Sequence, residues 1–477
     1  MSFEPIGAIT VVIGLFCLLF GLRSVVIAFV VLCNLGSAAA MLLGGANVQP
    51  SHLFLLFLVS ATLFWRRMAT RILAALRMPE PGFWLLCLVL YGLGSSYVMP
   101  RLFAGQTVII PLGTSEHLIT SEGVVPLGPV SSNITQSIYM IGDLVCFIVF
   151  IAIGSTLAGV MTLEKALIAY AITNICFGLL DMITAATGTA ELLGFIRNAQ
   201  YTFHDAETIG SMRRIIGAWP EASAFAGMTL GPCAFTGMLW LSGRKPLVTG
   251  PLALISLLLV VLSTSSTGLA GSVVVVALLY ATALVRCSTR WQDRYSAATV
   301  IASPLLIAAL VMVVMSVGGI AEAIYDYADT LVLSKAASDS GMQRASWNAY
   351  ALRNFFESGG LGVGLGTNRT SSFALAVLSN VGIPGAVFYV LFMASVFSAG
   401  RGAPRDAVSD VRTAARISCL CLLVGSFIAG PTVDQGLLFY VFAACACACP
   451  ECHRIPSGRT SAPGAEPADP GLQPVPR

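Results

Sequence analysis

The chain has 477 residues, of which 56% are hydrophobic and only 10% charged, against about 25% charged in ordinary soluble domains. No water-soluble core hides that much apolar surface, so composition excludes a conventional globule and points to an all-α polytopic membrane protein. The net charge of +3 excludes little by itself; the information lies in how charges cluster between the apolar runs.

In chain order, windows of about 20 apolar residues predict spans over 6–22, 24–45, 51–65, 83–103, 138–160 and 166–187. Further spans are predicted over 222–242, 247–263, 268–285, 296–318, 371–399, 414–430 and 437–449. The expected total is about 12–13 transmembrane helices, in a transmembrane domain covering 1–453. Ile6 to Leu22 has no preceding Lys or Arg and no small-residue cleavage site before Arg23, so it reads as a retained helix. Arg66, Arg67, Arg71 and Arg77 form one basic connector; Arg244 with Lys245, Arg286 to Arg294, and Arg401 to Arg416 form three others. Parity puts all four on one side, which the positive-inside bias makes cytoplasmic. The Pro-, Gly- and Ser-rich tail 454–477 is expected to be disordered there.

Three long segments, 104–137, 188–221 and 319–370, then face the opposite side. In the first, Thr107 to Leu112 and Gly123 to Leu127 are β-prone runs that predict a hairpin-like cover. In the third, Met342, Ala345, Ala349, Leu352 and Phe356 recur at helical spacing and predict a helix over 342–356, with Asp339 or Ser340 as N-cap. The thirteen cysteines imply no disulfide framework. Cys445, Cys447, Cys449 and Cys452, followed by His453, look like a metal knuckle, but the first three sit among small apolar residues and read as packing cysteines.

Inside the spans the clear ionisable residues are Asp143 and Asp181, both expected near helix ends. The outer segments instead carry Arg101, Arg197, Arg213, Arg214, Arg344, Arg353 and Arg369. Arginine there runs against the orientation bias. An anion held at the membrane surface explains the set, because a guanidinium fork meets phosphate oxygens in bidentate geometry and stays charged. Pairing with Asp205, Glu207, Glu221 and Glu357, or with lipid headgroups, is the alternative. His204, Asp205 and Glu207 are too loosely spaced to favour a divalent cation, so no metal or cofactor is expected. Gly359, Gly360, Gly362, Gly364 and Gly366 lack the lysine of a nucleotide loop and read as close-approach or turn positions.

Trp219 to Phe225 (WPEASAF), Ser263 to Gly268 (STSSTG), Arg344 to Ala349 (RASWNA), Gly362 to Asn368 (GVGLGTN) and Leu378 to Gly385 (LSNVGIPG) follow one another in an order that resembles the O-antigen polymerase and ligase superfamily, and within it the bacterial exopolysaccharide polymerases. The resemblance covers about 220–390. It implies a GT-C-like bundle with partly helical extracytoplasmic loops, in the bacterial inner membrane. The implied activity is metal-independent glycosyl transfer between undecaprenyl-diphosphate-linked oligosaccharides outside the membrane. Implied partners are that glycolipid, membrane lipid, and flippase and chain-length or export proteins; no nucleic acid is expected. By the same resemblance, Arg344, Arg369 and either Arg213 or Arg214 hold the diphosphate. Arg353, Trp347 and Asn368 complete the expected substrate-binding set. The His-Asn pair of the ligases is absent after the glycine run, where Ser371 and Ser372 stand, and Ser266 replaces an arginine frequent in relatives. A flippase or transporter for the same lipid remains the rival reading.

The chemistry needs little more. Diphosphate is already a good leaving group, so positioned arginines must chiefly neutralise its developing charge. A carboxylate or imidazole then takes the acceptor proton. Glu221, opening an apolar helix, is the first candidate, and a cap or an ion pair with Arg213 or Arg214 is its structural alternative. His204 is the second candidate.

Overall fold

Hydropathy decides most of the architecture. The computed structural model describes the chain apart from residues 1, 44–45, 64–67, 117–122, 200–207, 210–211, 289–293, 401, 404–405, 454–477 and most of 317–337. The tail expectation therefore falls outside the described residues. Helices α1 (Pro5–Leu19), α2 (Leu22–Leu32), α3 (Pro50–Leu63), α4 (Met68–Ala75), α5 (Pro81–Leu102), α6 (Ser132–Gly154) and α7 (Leu157–Ala186) form the first half. The second half contains α8 (Ala222–Leu241), α9 (Pro246–Leu262), α10 (Ser266–Ser288), α11 (Arg294–Ser316), α12 (Asp339–Glu357), α13 (Phe373–Ser398), α14 (Ala407–Ala429) and α15 (Leu437–Ala446). Among the described residues seven helices are long and apolar enough to cross a membrane, or up to eight if the bent pair α3 and α4 is one span. Several other apolar segments are helical but shorter, among them α1, α2, α9 and α15.

The run expected to span 24–45 is interrupted. Helix α2 stops at Leu32 because Asn34 turns its amide away, donating to Thr173 Oγ1 at 2.8 Å, and Ser37 Oγ donates to Ala218 O at 2.8 Å. Beyond it, β1 (Ser2–Phe3), β2 (Met41–Leu43) and β3 (Ala46–Val48) make a small antiparallel sheet. The expected hairpin cover is present as β4 (Val108–Ile109) and β5 (Val125–Pro126), with Ile109 opposite Val125. A third ribbon pairs β6 (Thr208–Ile209) with β7 (Met212–Arg213). The helix expected over 342–356 is also present, as α12. Its N-cap is Ser338, whose hydroxyl accepts from Gly341 N–H at 3.2 Å, rather than Asp339 or Ser340; the helix begins earlier than the apolar spacing shows.

Helix α8 packs against α9, α10 and α14, and glycine permits the approach. A Cβ on Gly231 would meet Leu422 at 2.8 Å, and one on Gly268 would meet Ala226 at 2.6 Å. Small residues at such crossings let apolar helices pack by dispersion where lipid offers no hydrophobic drive. At the far end of α8, Glu164 is buried and pairs with Arg244 at 2.8 Å and Lys245 at 3.2 Å. Arg412 and Arg416, also buried, donate to carbonyls at the C-terminal end of α15, including those of Ala448 and Ala446, where the helix dipole favours cations. Cys445 and Cys447 are free thiols as expected, but Cys449, past the end of α15, is disulfide-bonded. Packing within a helix therefore does not describe it. Asp143 stands in mid-helix rather than near an end, whereas Asp181 is in the last turns of α7.

Candidate functional site

Three elements meet around Glu221. Helix α12 carries Arg344, Trp347 and Asn348 at the i, i+3, i+4 spacing that puts them on one face. The chain leaves α12 through the glycine run and returns, so that the Arg369 guanidinium lies 4.3 Å above the Trp347 ring, a cation–π contact. The turn is held there because Ser371 N–H donates to Asn348 Oδ1 at 2.9 Å and Arg369 N–H to Ile110 O at 2.9 Å. From the other side comes the start of α8. Glu221 is its extended N-cap residue, and Ser223 Oγ donates to Glu221 Oε1. Arg344 Nη2 approaches Glu221 Oε1 at 3.8 Å and Ser223 Oγ at 3.5 Å.

These last contacts are long. A guanidinium has five N–H donors, and neither distance engages Arg344 fully. Crowding around Arg369 and, less, the neighbouring Arg344 charge draw its pKa below the ordinary arginine range, while Glu221 acts the other way. It remains a cation at physiological pH. The cluster thus has two guanidiniums to one carboxylate, at a helix N-terminus whose dipole adds further positive potential. Arg344 and Glu221 keep 28% and 36% of their side-chain surface exposed.

The glycine run serves its own backbone. Gly362, at φ +80°, would drive a Cβ to 2.7 Å from Asn380 O, and α13 breaks at Gly382 (φ 61°, ψ −163°) where the two chains touch. Asn380 Oδ1 accepts the Thr367 and Asn368 N–H groups at 3.0 Å each, and Asn133 Nδ2 donates to Leu365 O at 2.8 Å. This rigid seat delivers Asn368 and Arg369. The Asn368 amide is fully buried, and neither of its polar atoms has a partner among the described residues.

The other expected residues go elsewhere. Arg213 lies 3.7 Å from Asp181, beside Arg197, whose Nη2 is 2.7 Å from the same carboxylate. Asp181 also accepts Ile216 N–H at 2.8 Å and Gly217 N–H at 3.1 Å. Arg213 and Arg214 line a cavity of about 320 Å³ with Asp181, Met182, Ala185, Ala186 and Ile215; neither Arg344 nor Arg369 belongs to that lining. Arg353 is exposed and forms an i,i+4 pair with Glu357 at 2.7 Å. Arg101 folds over Tyr97 at 4.0 Å. His204, Asp205 and Glu207 lie outside the described residues.

Sequence reasoning missed Ser223 and Asn348 as members of the cluster, although the spacing of Asn348 from Arg344 signals a shared face. It also missed Asp181 as the residue that positions Glu221. By clamping 216–217, with Arg197 Nε donating to Gly217 O at 3.1 Å, Asp181 fixes the short lead into Trp219. The Trp219 ring in turn covers Gly36, where an added Cβ would sit 2.2 Å from it. Nothing local in the sequence marks that grip.

Fold and hydropathy together define a multi-pass helical membrane protein. No family model matches the chain, and no curated protein matches it either.

Proposed function

We propose that the chain is a polysaccharide polymerase: a metal-independent glycosyltransferase that joins undecaprenyl-diphosphate-linked oligosaccharide repeats on the outer side of the bacterial inner membrane. The observation that carries this reading is the gathering of Arg344 and Arg369 around Glu221 at the α8 N-terminus. The motif order that resembles exopolysaccharide polymerases supports it independently. The donor diphosphate sits between the two guanidiniums, where incoming phosphate oxygens take the N–H donors that the long Glu221 contact leaves over. As the sugar to diphosphate bond breaks, charge grows on the leaving oxygen and the preorganised cations lower the barrier. The acceptor hydroxyl attacks the anomeric carbon from the opposite face, and its proton passes to Glu221. Both described contacts of Glu221 fall on Oε1, which leaves Oε2 for that hydroxyl. A single displacement inverts the anomeric centre.

Purified protein in liposomes, given lipid-linked repeat units alone, tests the proposal. Longer lipid-linked chains are the expected product, and they should vanish in Arg344→Ala. Movement of the glycolipid across the bilayer without extension identifies a flippase and removes the transferase reading. Transfer only to an added lipid-A-type acceptor identifies a ligase.

A further inference from the structure

A second group of ionisable residues lies inside the bundle, away from the arginines. Asp143, midway along α6, is fully buried, and both its carboxyl oxygens lack a hydrogen-bond donor among the described residues. Its carboxyl abuts that of Asp434, in the segment joining α14 to α15. Asp434 Oδ1 accepts Gly436 N–H at 2.6 Å. The other ionisable groups that face the pair are Tyr389 of α13 and Tyr440 of α15, whose hydroxyls stand 3.5 Å apart, and Cys146 one turn further along α6. Cys33, beyond α2, borders Cys146, and α3 presents His52, stacked on Tyr139 a turn earlier in α6. Among the described residues no lysine or arginine contacts either carboxyl.

Two adjoining carboxylates without a cation do not both stay ionised in such surroundings; repulsion and lost hydration keep one proton on the pair. We propose that Asp143 and Asp434 form a proton-binding site, in which one shared proton fastens the 430–436 segment to the bundle. Asp434 as a residue is only partly buried. Its carboxyl is nonetheless enclosed: burial, foremost, raises its pKa, while the hydrogen bonds from Asp143 and Gly436 work against the rise. The fastened segment reaches the arginine site, because Thr370 Oγ1 lies 3.4 Å from Gly430 O and 3.5 Å from Pro431 O, and Ser372 Oγ donates to Phe427 O at 3.0 Å. Loss of the proton therefore loosens the support next to Arg369. None of this depends on the transferase reading.

Infrared spectroscopy of the reconstituted protein tests it. The wild type at neutral pH is expected to show a protonated-carboxyl C=O band that disappears in Asp143→Asn, since Asp434 beside a neutral amide ionises. Asp434→Asn gives the same readout from the segment side if the first variant folds poorly. The wild type alone supplies a further measure. A carboxyl whose folded pKa is raised binds its proton more tightly folded than unfolded, so the stability it lends is full below about pH 4 and is lost as pH rises towards the folded value. The wild-type Tm should fall over that window, and more shallowly in Asp143→Asn. A neutral-pH wild-type spectrum with no band beyond that of Asp143→Asn overturns the proposal. So does a Tm set by sodium or potassium instead of pH, which makes the pair a cation site.

Discussion

Arg344 and Arg353 stand nine positions apart on one helix, yet only Arg353 is held in a short ion pair. Arg353 is closed by Glu357 on the exposed face, and the pair's hydrogen bond raises the Arg353 pKa; Arg344 touches Glu221 only at 3.8 Å. Arg344→Ala and Arg369→Ala are each expected to cut chain extension by about 10²-fold or more, measured with lipid-linked repeats, while Arg353→Ala stays within about 3-fold. Arg344→Lys should recover only part of the loss, because an ammonium cannot fork onto two phosphate oxygens. Since a long, half-exposed ion pair contributes little to stability, Arg344→Ala should move the unfolding free energy by less than about 1 kcal/mol. Asp181 and Arg197 should behave in the reverse manner. Only 2% and 7% exposed, each leaves a buried partner charge when removed, so Asp181→Ala or Arg197→Ala should cost about 3–5 kcal/mol in denaturant unfolding. Much of this scale was hidden in the sequence. The arginines drew attention because the expected topology sets them against the orientation bias, but which of them are engaged depends on contacts such as Asp181 with Gly217, across 36 residues, that no local pattern encodes.

At the scale of elements, the pivotal feature is the mutual fit of the glycine run and the break in α13. Gly362 and Gly382 both have φ values that side chains disfavour, and each would place a Cβ against backbone of the other segment. Gly362→Ala and Gly382→Ala should therefore each destabilise by more than about 1 kcal/mol and reduce extension as well, since Arg369 is carried by the same loop; Gly359→Ala, with open space around it, should lower only stability. Elements were the most legible level. The hairpin cover and α12 were readable from β-prone runs and helical spacing, and most spans from hydropathy. Boundaries failed where polar side chains made distant bonds. Asn34 and Ser37 end α2 by reaching α7 and Ala218, and Ser338 starts α12 a turn ahead of its first apolar residue.

For the whole molecule, the transferase reading requires the arginine cluster and the Arg412 end of the bundle to lie on opposite sides of the membrane. Helix α13, although broken at Gly382, is among the segments long and apolar enough to cross a hydrocarbon core of about 30 Å. Leu361 precedes it and Ala403 follows it, both exposed. In right-side-out vesicles, a membrane-impermeant maleimide is expected to label Leu361→Cys and spare Ala403→Cys until the vesicles are opened. The opposite order would turn the protein over and place its arginines in the cytoplasm. Hydropathy made the class of protein plain from composition, whereas the contact of Asp143 with Asp434, 291 positions apart, belongs wholly to the folded state.

The grip of Asp181 on the stretch before Glu221 has a consequence for genetics. On the proposed reading, a screen for cells that make no polymer would group lesions at Asp181, Arg197 and Ser37 with those at Arg344, although none of the three belongs to the cluster of Arg344, Arg369 and Glu221. Revertants tell the two groups apart: a defective scaffold residue is rescued by a second change at the residue it held, as at Arg197 for Asp181, whereas a lost phosphate ligand has no such neighbour to compensate for it.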